Sequence, residues 1–511
     1  MNKKVIIGAL VILLACCGVY ASLTGLTTGP GNDEISAPNV DLSSLEIKEN
    51  LVTSESLTTE KKWYTTDKSD TNTILVENNS TLNITDSAVN KTGDSSSNGD
   101  NVDFYGTNSA ILVKKGSVAN IEKTVINTSS KGSNAVFVTN SEQNSEQTTN
   151  EPGNMQSMSP NMQQPPENEG LGGMSGQSSG EPPSMPPEGD GGNNNPGMSN
   201  EDYSSGGATA NVKDVEINTY NDKSRGLDAT YGGKINAENV IINTRGGSCA
   251  ALATDRGEGT VTANRCIVNT GVDNGTGRGS PCIYSTGNIT VTNSKGTAYN
   301  SQIACIEGKN SITLNDCDLN CFGGGNREEN GKFVDLGGFF IYQSMSGDAN
   351  IGTATLNVTN SKLSINESSE HYSTAPMFHV TNTKAIINIK NSECNFGSGT
   401  LLNVSGQNQW GTAGSNGGDL EFNMNSESLK GNITIDKISS LSLNMVDSDY
   451  TGSINPSDDY GNTTVKLDDK SSWTLTGDCH VSSLENHGNI EYGSYTLYVN
   501  GEAYTASNPY K

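Results

Sequence analysis

The sequence predicts an all-β fold, a right-handed parallel β-helix (a solenoid) with a long disordered loop insertion, and three observations predict it. First, a ten-residue phrase recurs: residues 235–244 read INAENVIINT and residues 261–270 read VTANRCIVNT. Aligned on this phrase, units begin at Leu82, Ala119, Ala210, Ile235, Val261, Ile289, Ile312, Leu356 and Ile387, at intervals of 37, 91, 25, 26, 28, 23, 44 and 31 residues. The recurring minimum is about 25 residues, and longer intervals hold insertions. Second, the first and third positions of the unit are apolar with polar residues between, as in Ile289-Thr290-Val291-Thr292. That alternation is the period of a strand buried on one face. Third, the ninth position is Asn90, Asn127, Asn218, Asn243, Asn269, Asn320 and Asn395, with Thr297 and Ser364 in the same column. Stacked asparagines pass amide hydrogen bonds from coil to coil.

A unit this short cannot bury its own apolar face, but it can do so against copies of itself. About 12 to 14 coils spaced ~4.8 Å apart would give a rod on the order of 60 Å long.

The elements follow in order along the chain. Residues 1–21 carry Lys3 and Lys4, an apolar run from Val5 to Val19 and small residues after it, the pattern of an export signal. LLAC at 13–16 fits a bacterial lipobox with Cys16 as the lipidated residue, Val19-Tyr20-Ala21 fits ordinary cleavage, and an uncleaved anchor is the third reading. Beyond these residues nothing looks helical. Residues 22–60 read as a linker and 61–500 as the β-helix.

The fifth position of the phrase is usually polar and turn-forming (Asp86, Asp214, Asn239, Asn293, Asp316, Asn360, Asn391), so a turn follows each first strand. A second apolar stretch recurs in seven units, among them GLDATYGG at 226, AALATDRG at 250, CIYSTGN at 282 and ACIEGKN at 304. Residues 141–207 break the repeat with a Met-, Pro- and Gly-rich run that has the composition of a disordered loop. LEFNM at 420, LSLNM at 441 and TTVKL at 463 keep the alternation, and residues 463–511 supply the terminal coils and a cap.

Composition narrows the function. The chain has 57 acidic and 31 basic residues, a net charge of −26. Such a surface repels nucleic acid and anionic lipid, so contact with a membrane is expected only through the N-terminal segment. A polyanionic glycan would need a bridging cation, and calcium is the cofactor such a site would take. Cys266 and Cys317 share a column two coils apart, too far for a disulfide, and Cys282 and Cys305 fall in second strands as small packing residues. Mostly free thiols are expected.

This organisation resembles the pectin-lyase-like superfamily of right-handed β-helices, and among them exported adhesin-like and carbohydrate-binding proteins of bacteria and archaea. The resemblance covers residues 60–500 and rests on periodicity and the Asn column. It implies a polysaccharide, a cell-surface glycan or a host or partner surface protein as the binding partner. The Asn-Thr-Asp, Gly-His-Gly and Arg-Ile-Lys motifs of the superfamily's galacturonidases are missing: Asn-Thr here is followed by Tyr220, Arg245 or Gly271. The four histidines, His371, His379, His480 and His487, all lie late in the chain.

The candidate surface lies on the second strands. With Leu227, Leu252 and Ile283 inward, Asp228, Asp255 and Tyr284 point outward, Glu307 follows on the next coil, and Arg256 sits beside Asp255. This row is expected to grip a sugar chain or a calcium ion; a solvated face of an acidic protein is the plainer alternative. Trp410, in a Gly-rich loop, either stacks on sugar or wedges between coils. The charged run at 323–335 reads as a solvated loop.

Two functions follow as expectations. The first is an exported cell-surface or secreted protein that adheres to or binds carbohydrate without catalysis. The alternative is a calcium-assisted lyase or glycoside hydrolase on uronic-acid glycans, working through Asp228, Asp255 and Glu307.

Overall fold

The computed structural model describes residues 35–504 except 98, 142–204, 272–278, 324–326, 330–331, 335–336, 345 and 408. The N-terminal segment with Cys16, expected to direct export, and nearly all of the 141–207 insertion therefore lie outside the described residues. The described residues from Ala37 onward form one compact unit.

The alternation of the repeat becomes a parallel ladder, and the chain is an all-β parallel β-helix. The first apolar position of the phrase runs from rung to rung as Leu57, Leu82, Ala119, Ala210, Ile235, Val261 and Ile289. It continues as Ile312, Leu356, Ile387, Phe422, Leu443, Val465 and Leu484. The nine unit starts read from the sequence are consecutive members of this column, each paired with the next. Every residue in it is buried except Leu57 and Leu484 at its two ends. Strands begin at Glu46–Lys48, inside the stretch that read as a linker. At the C-terminal end Leu497–Val499 stacks in parallel on Cys479–Val481 in a separate three-stranded sheet and pairs antiparallel with Glu502–Ala503.

The turn-forming fifth position has a backbone cause. Asp86, Asp214, Asn239, Asn293, Asp316, Asn360 and Asn391 all adopt left-handed φ between 46° and 56°. Asn and Asp tolerate that conformation better than other L-residues, because a short polar side chain bonds locally. The corner bends the phrase, which contributes two strands to the large sheet in most coils and one long bent strand at Thr209–Thr219 and Lys234–Thr244. The second apolar stretch supplies the other sheet, twelve strands from Leu51–Thr53 to Asn432–Ile435.

The Asn column pairs in the expected register throughout. Its amides chain from Asn127 to Asn269: Asn218 donates to Asn127 at 3.2 Å, Asn243 to Asn218 at 3.2 Å and Asn269 to Asn243 at 3.1 Å. The ladder lies on the outer face and is mostly half-buried. Asn395 bonds Glu393 instead, at 2.9 Å. A second ladder runs beside it, Asn120 to Asn83, Asn211 to Asn120 and Asn236 to Asn211, and resumes with Asn388, Asn423 and Asn444.

Three expectations are corrected. The chain does contain a helix, α1 (Gly99–Tyr105), which buries Val102 and Phe104 and stops at Gly106, φ 69°. A Cβ on Gly106 would fall 2.5 Å from the Phe137 ring, and glycine relieves both constraints. The charged run contains an antiparallel pair, Arg327–Glu329 with Lys332–Val334. Finally, Ile283 pairs with Ala304 and Tyr284 with Cys305, so Cys282 joins the core while Cys305 packs outside the sheet against Phe340 and Trp410. The eight described cysteines are free.

Candidate functional site

Side chains alternate across a strand, so the outer face of the second sheet carries two neighbouring columns. One runs Phe137, Asp228, Ala253, Tyr284, Cys305, Phe340, His379. In the other, Glu307, Tyr342 and Thr381 follow in succession, and Asp255, two residues beyond Ala253, lies on that side as well. Asp228, Asp255, Tyr284 and Glu307 thus share a face but divide between two columns, where one straight row was expected.

The solvated reading of that face is overturned. Asp228 is 0% exposed, Asp255 4% and Glu307 1%. Facing out of the sheet is not facing water here, because insertions between coils return across the sheet and roof it. The roof comes from the long intervals: α1 from the 37-residue one, the described residues of 343–350 from the 44-residue one and those of 405–416 from the interval after Ile387.

Helix α1 is tied down by charge and by ring contacts. Asp103 meets Arg225 Nη1 and Lys223 Nζ, both at 2.9 Å. The Phe104 carbonyl accepts from Thr230 Oγ1 at 2.9 Å, Tyr105 stacks on Tyr231 with centroids 5.8 Å apart, and the Arg256 guanidinium lies 3.8 Å from the Phe104 ring centroid. On its other side Arg256 pairs with Asp348 at 2.6 Å. Two straps from opposite directions along the solenoid thus meet at one arginine.

Beneath α1, Arg225 also reaches Asp255 at 2.9 Å and stands 3.6 Å from Asp228. Both Asp228 oxygens are buried without a hydrogen bond. Burial and then the neighbouring Asp255 push the Asp228 carboxyl well above the ordinary range. Burial pushes Asp255 up to about 7, against the pull of Arg225. Asp103 is different: Arg225 and Lys223 outweigh the effect of burial and hold its carboxyl low. One guanidinium thus faces three carboxyls, and of the three it stands farthest from Asp228.

The other half of the face is aromatic. Tyr284 Oη donates to Glu307 Oε2 at 2.8 Å, and Ser344 donates to the other Glu307 oxygen. Burial raises the Glu307 carboxyl, and these two donors pull the other way. Phe340 packs 4.5 Å from Tyr342 and 5.0 Å from Trp410, and Trp410 meets Tyr342 edge-on at 5.4 Å. His379 lies edge-on to Phe340, its Nε2 3.3 Å from the Gln407 amide. Trp410 therefore packs on the outside of the sheet and does not wedge between coils.

The structure thus brings Asp228, Asp255, Arg256, Tyr284, Glu307 and Trp410 onto one face. Arg225, Asp103, Ser344, Tyr342 and Asp348 were missed; the one signal that pointed to four of them was the extra length of the intervals carrying Asp103, Tyr342, Ser344 and Asp348. Among the described residues no group of three acidic, His or Cys side chains is arranged to hold a metal ion, and no helix is long and apolar enough to cross a membrane.

The fold and this face define the class: a parallel β-helix with a roofed acidic and aromatic patch on its second sheet. Compared with known proteins, the chain matches no family model and no curated relative.

Proposed function

We propose that this is an exported, pectin-lyase-like β-helix protein that binds carbohydrate at or beyond the cell surface without transforming it. One observation carries this reading: part-buried Tyr284 donates to Glu307, part-buried Tyr342 is the register neighbour of Glu307, and Trp410 packs against Tyr342. Aromatic faces cover the apolar side of a sugar ring, while carboxylates and amides take its hydroxyls, and few other ligands ask for both at once. The export signal and the strongly acidic surface suit a protein that works outside the cell.

Retention on immobilised polysaccharides tests the reading. The parent protein is expected to bind, and Tyr342→Ala and Trp410→Ala to weaken binding by roughly tenfold or more, the effect of truncating a buried aromatic anchor. Failure to bind any polysaccharide on a broad panel would remove it.

A glycoside hydrolase is the second reading. Asp255 and Glu307 sit on one side of the face about two coils apart, roughly 9 to 10 Å between backbones. That backbone spacing is on the order of the carboxyl separation used by inverting enzymes. Reducing ends appearing on incubation with a bound glycan, and lost in Glu307→Gln, would favour it over binding alone.

A further inference from the structure

The first three strands of the solenoid each have a ladder neighbour on one side only. Among the described residues Glu46–Lys48 pairs with Lys62–Thr66, Leu51–Thr53 with Ile74–Val76 and Leu57–Glu60 with Thr81–Thr85, and none pairs with anything before it. Backbone groups alternate sides along a strand. Glu46 N–H donates to the Lys61 carbonyl at 3.2 Å and Leu51 N–H to the Thr73 carbonyl at 2.8 Å, so these residues face the ladder. The N–H and C=O of Ile47 and Val52 therefore face away from it. Their side chains are open as well, 53% and 56% exposed. An edge of this kind is a template for another strand.

The residues of the edge select that strand. Glu46, Ile47 and Lys48 read acid, apolar, base. Charges on an edge ordinarily keep other chains away. Here an antiparallel copy centred on Ile47 sets Glu46 opposite Lys48 of the copy and Lys48 opposite its Glu46, so each charge meets its opposite. In that register Ile47 faces Ile47, and their outward N–H and C=O groups exchange both hydrogen bonds of a closely spaced antiparallel pair. Ile47 also heads a column on the outer face of the sheet, followed by half-buried Trp63 and buried Ala88. A reversed copy continues that apolar column through its own Ile47 and removes both isoleucines from water.

Stacking one end on the other fits less well. The C-terminal strands turn back on themselves, Leu497–Val499 against Glu502–Ala503, and head-to-tail contacts of that kind run on without closing. The reversed pairing about Ile47 closes on a two-fold axis.

We propose that the N-terminal edge is a self-association surface, through which two copies meet head to head with Glu46–Lys48 antiparallel and centred on Ile47. Asp228 lies four rungs along the second sheet from Val52. The dimer therefore leaves the roofed face open and carries it twice.

Sedimentation of the full chain over a range of concentrations tests this. Three short strands make a small contact, so a reversible equilibrium between monomer and dimer is expected, with nothing larger. Ile47→Pro removes the outward N–H and spares the ladder bonds of Glu46 and Lys48. It should move the midpoint of association at least about tenfold higher in concentration, with the melting temperature of the dilute protein unchanged. Lys48→Glu sets acid against acid and should weaken the dimer likewise, and Glu46→Lys added to it in the same chain should recover association, because the two signs exchange places and oppose again. Ile47→Cys should cross-link to itself under mild oxidation, since the Cα atoms of such a pair stand about 5.5 Å apart. Val446→Cys, at an exposed site on the same large sheet, should not. A monomer at every concentration would assign the edge to residues before Ile35 or to a different protein, and an open-ended series of oligomers would assign it to the C-terminal end of the next copy. Either result, or a dimer that Ile47→Pro leaves as tight as the parent, would overturn the proposal.

Discussion

Arg225 Nη1 lies 2.9 Å from Asp103 Oδ1, a contact spanning 122 residues of sequence that ties α1 to the second sheet. The same guanidinium pairs with Asp255 at 2.9 Å. Arg225→Met would leave buried carboxyls without their counter-charge, a loss of about 3–5 kcal/mol for a broken buried pair. The expected result is a lower melting temperature together with faster amide exchange across residues 99–105. Unchanged exchange in the helix would show that Arg225 does not hold it.

The raised carboxyl of Asp255 sets a pH dependence. A carboxyl held at about 7 in the folded chain, against a model value of 3.8, binds its proton more tightly when folded. Its contribution is complete below the unfolded value and is lost as pH rises through about 7. Melting temperature should therefore fall as pH is raised from about 4 to about 7 and level off above that, and Asp255→Asn should flatten the slope. Asp103, held low by its cations, works in the opposite sense and loses its contribution only in strong acid.

Asn243 donates to Asn218 and accepts from Asn269. Asn243→Ala removes both bonds and is expected to cost about 1–2 kcal/mol, read from denaturant unfolding. Asn243→Thr, the residue found one coil beyond Asn269 in this column, should cost less.

Lys123 occupies the corner position with φ 44° although it is neither Asn nor Gly. It is exposed, with one loose contact to Glu122 at 3.7 Å. Lys123→Asn is expected to stabilise the chain by up to about 1 kcal/mol, since asparagine tolerates left-handed backbone better. A drop in stability would mean that Lys123 makes a contact worth more than the corner strain.

Burial raises the thiols of Cys266 and Cys282 to about 12 and that of Cys249 to about 11. Thiolates are the reactive species, so native protein should resist a thiol-specific reagent near neutral pH and titrate fully only on unfolding. A melting temperature indifferent to reductant is the companion result.

The sequence by itself determined the ladder. Each strand repeats the same apolar alternation against its neighbour, so one alignment fixes register from Leu82 to Ile387, and the left-handed corners show as Asp and Asn at one recurring position. It also named Asp228, Asp255, Tyr284, Glu307 and Trp410, because their side chains alternate with core residues or sit in the loop beside them. What only the tertiary structure decided is that these groups are covered. The covering segments, α1 and the described residues of 343–350 and 405–416, lie in irregular insertions with no periodic signal, and they cross coils far from their own place in the chain. Partners such as Arg225 with Asp103, and Arg256 with Asp348 and Phe104, meet through that crossing alone. A repeat dictates what its strands do to one another, while the burial, charge state and hydrogen-bond deficit of a functional face depend on what folds back over it.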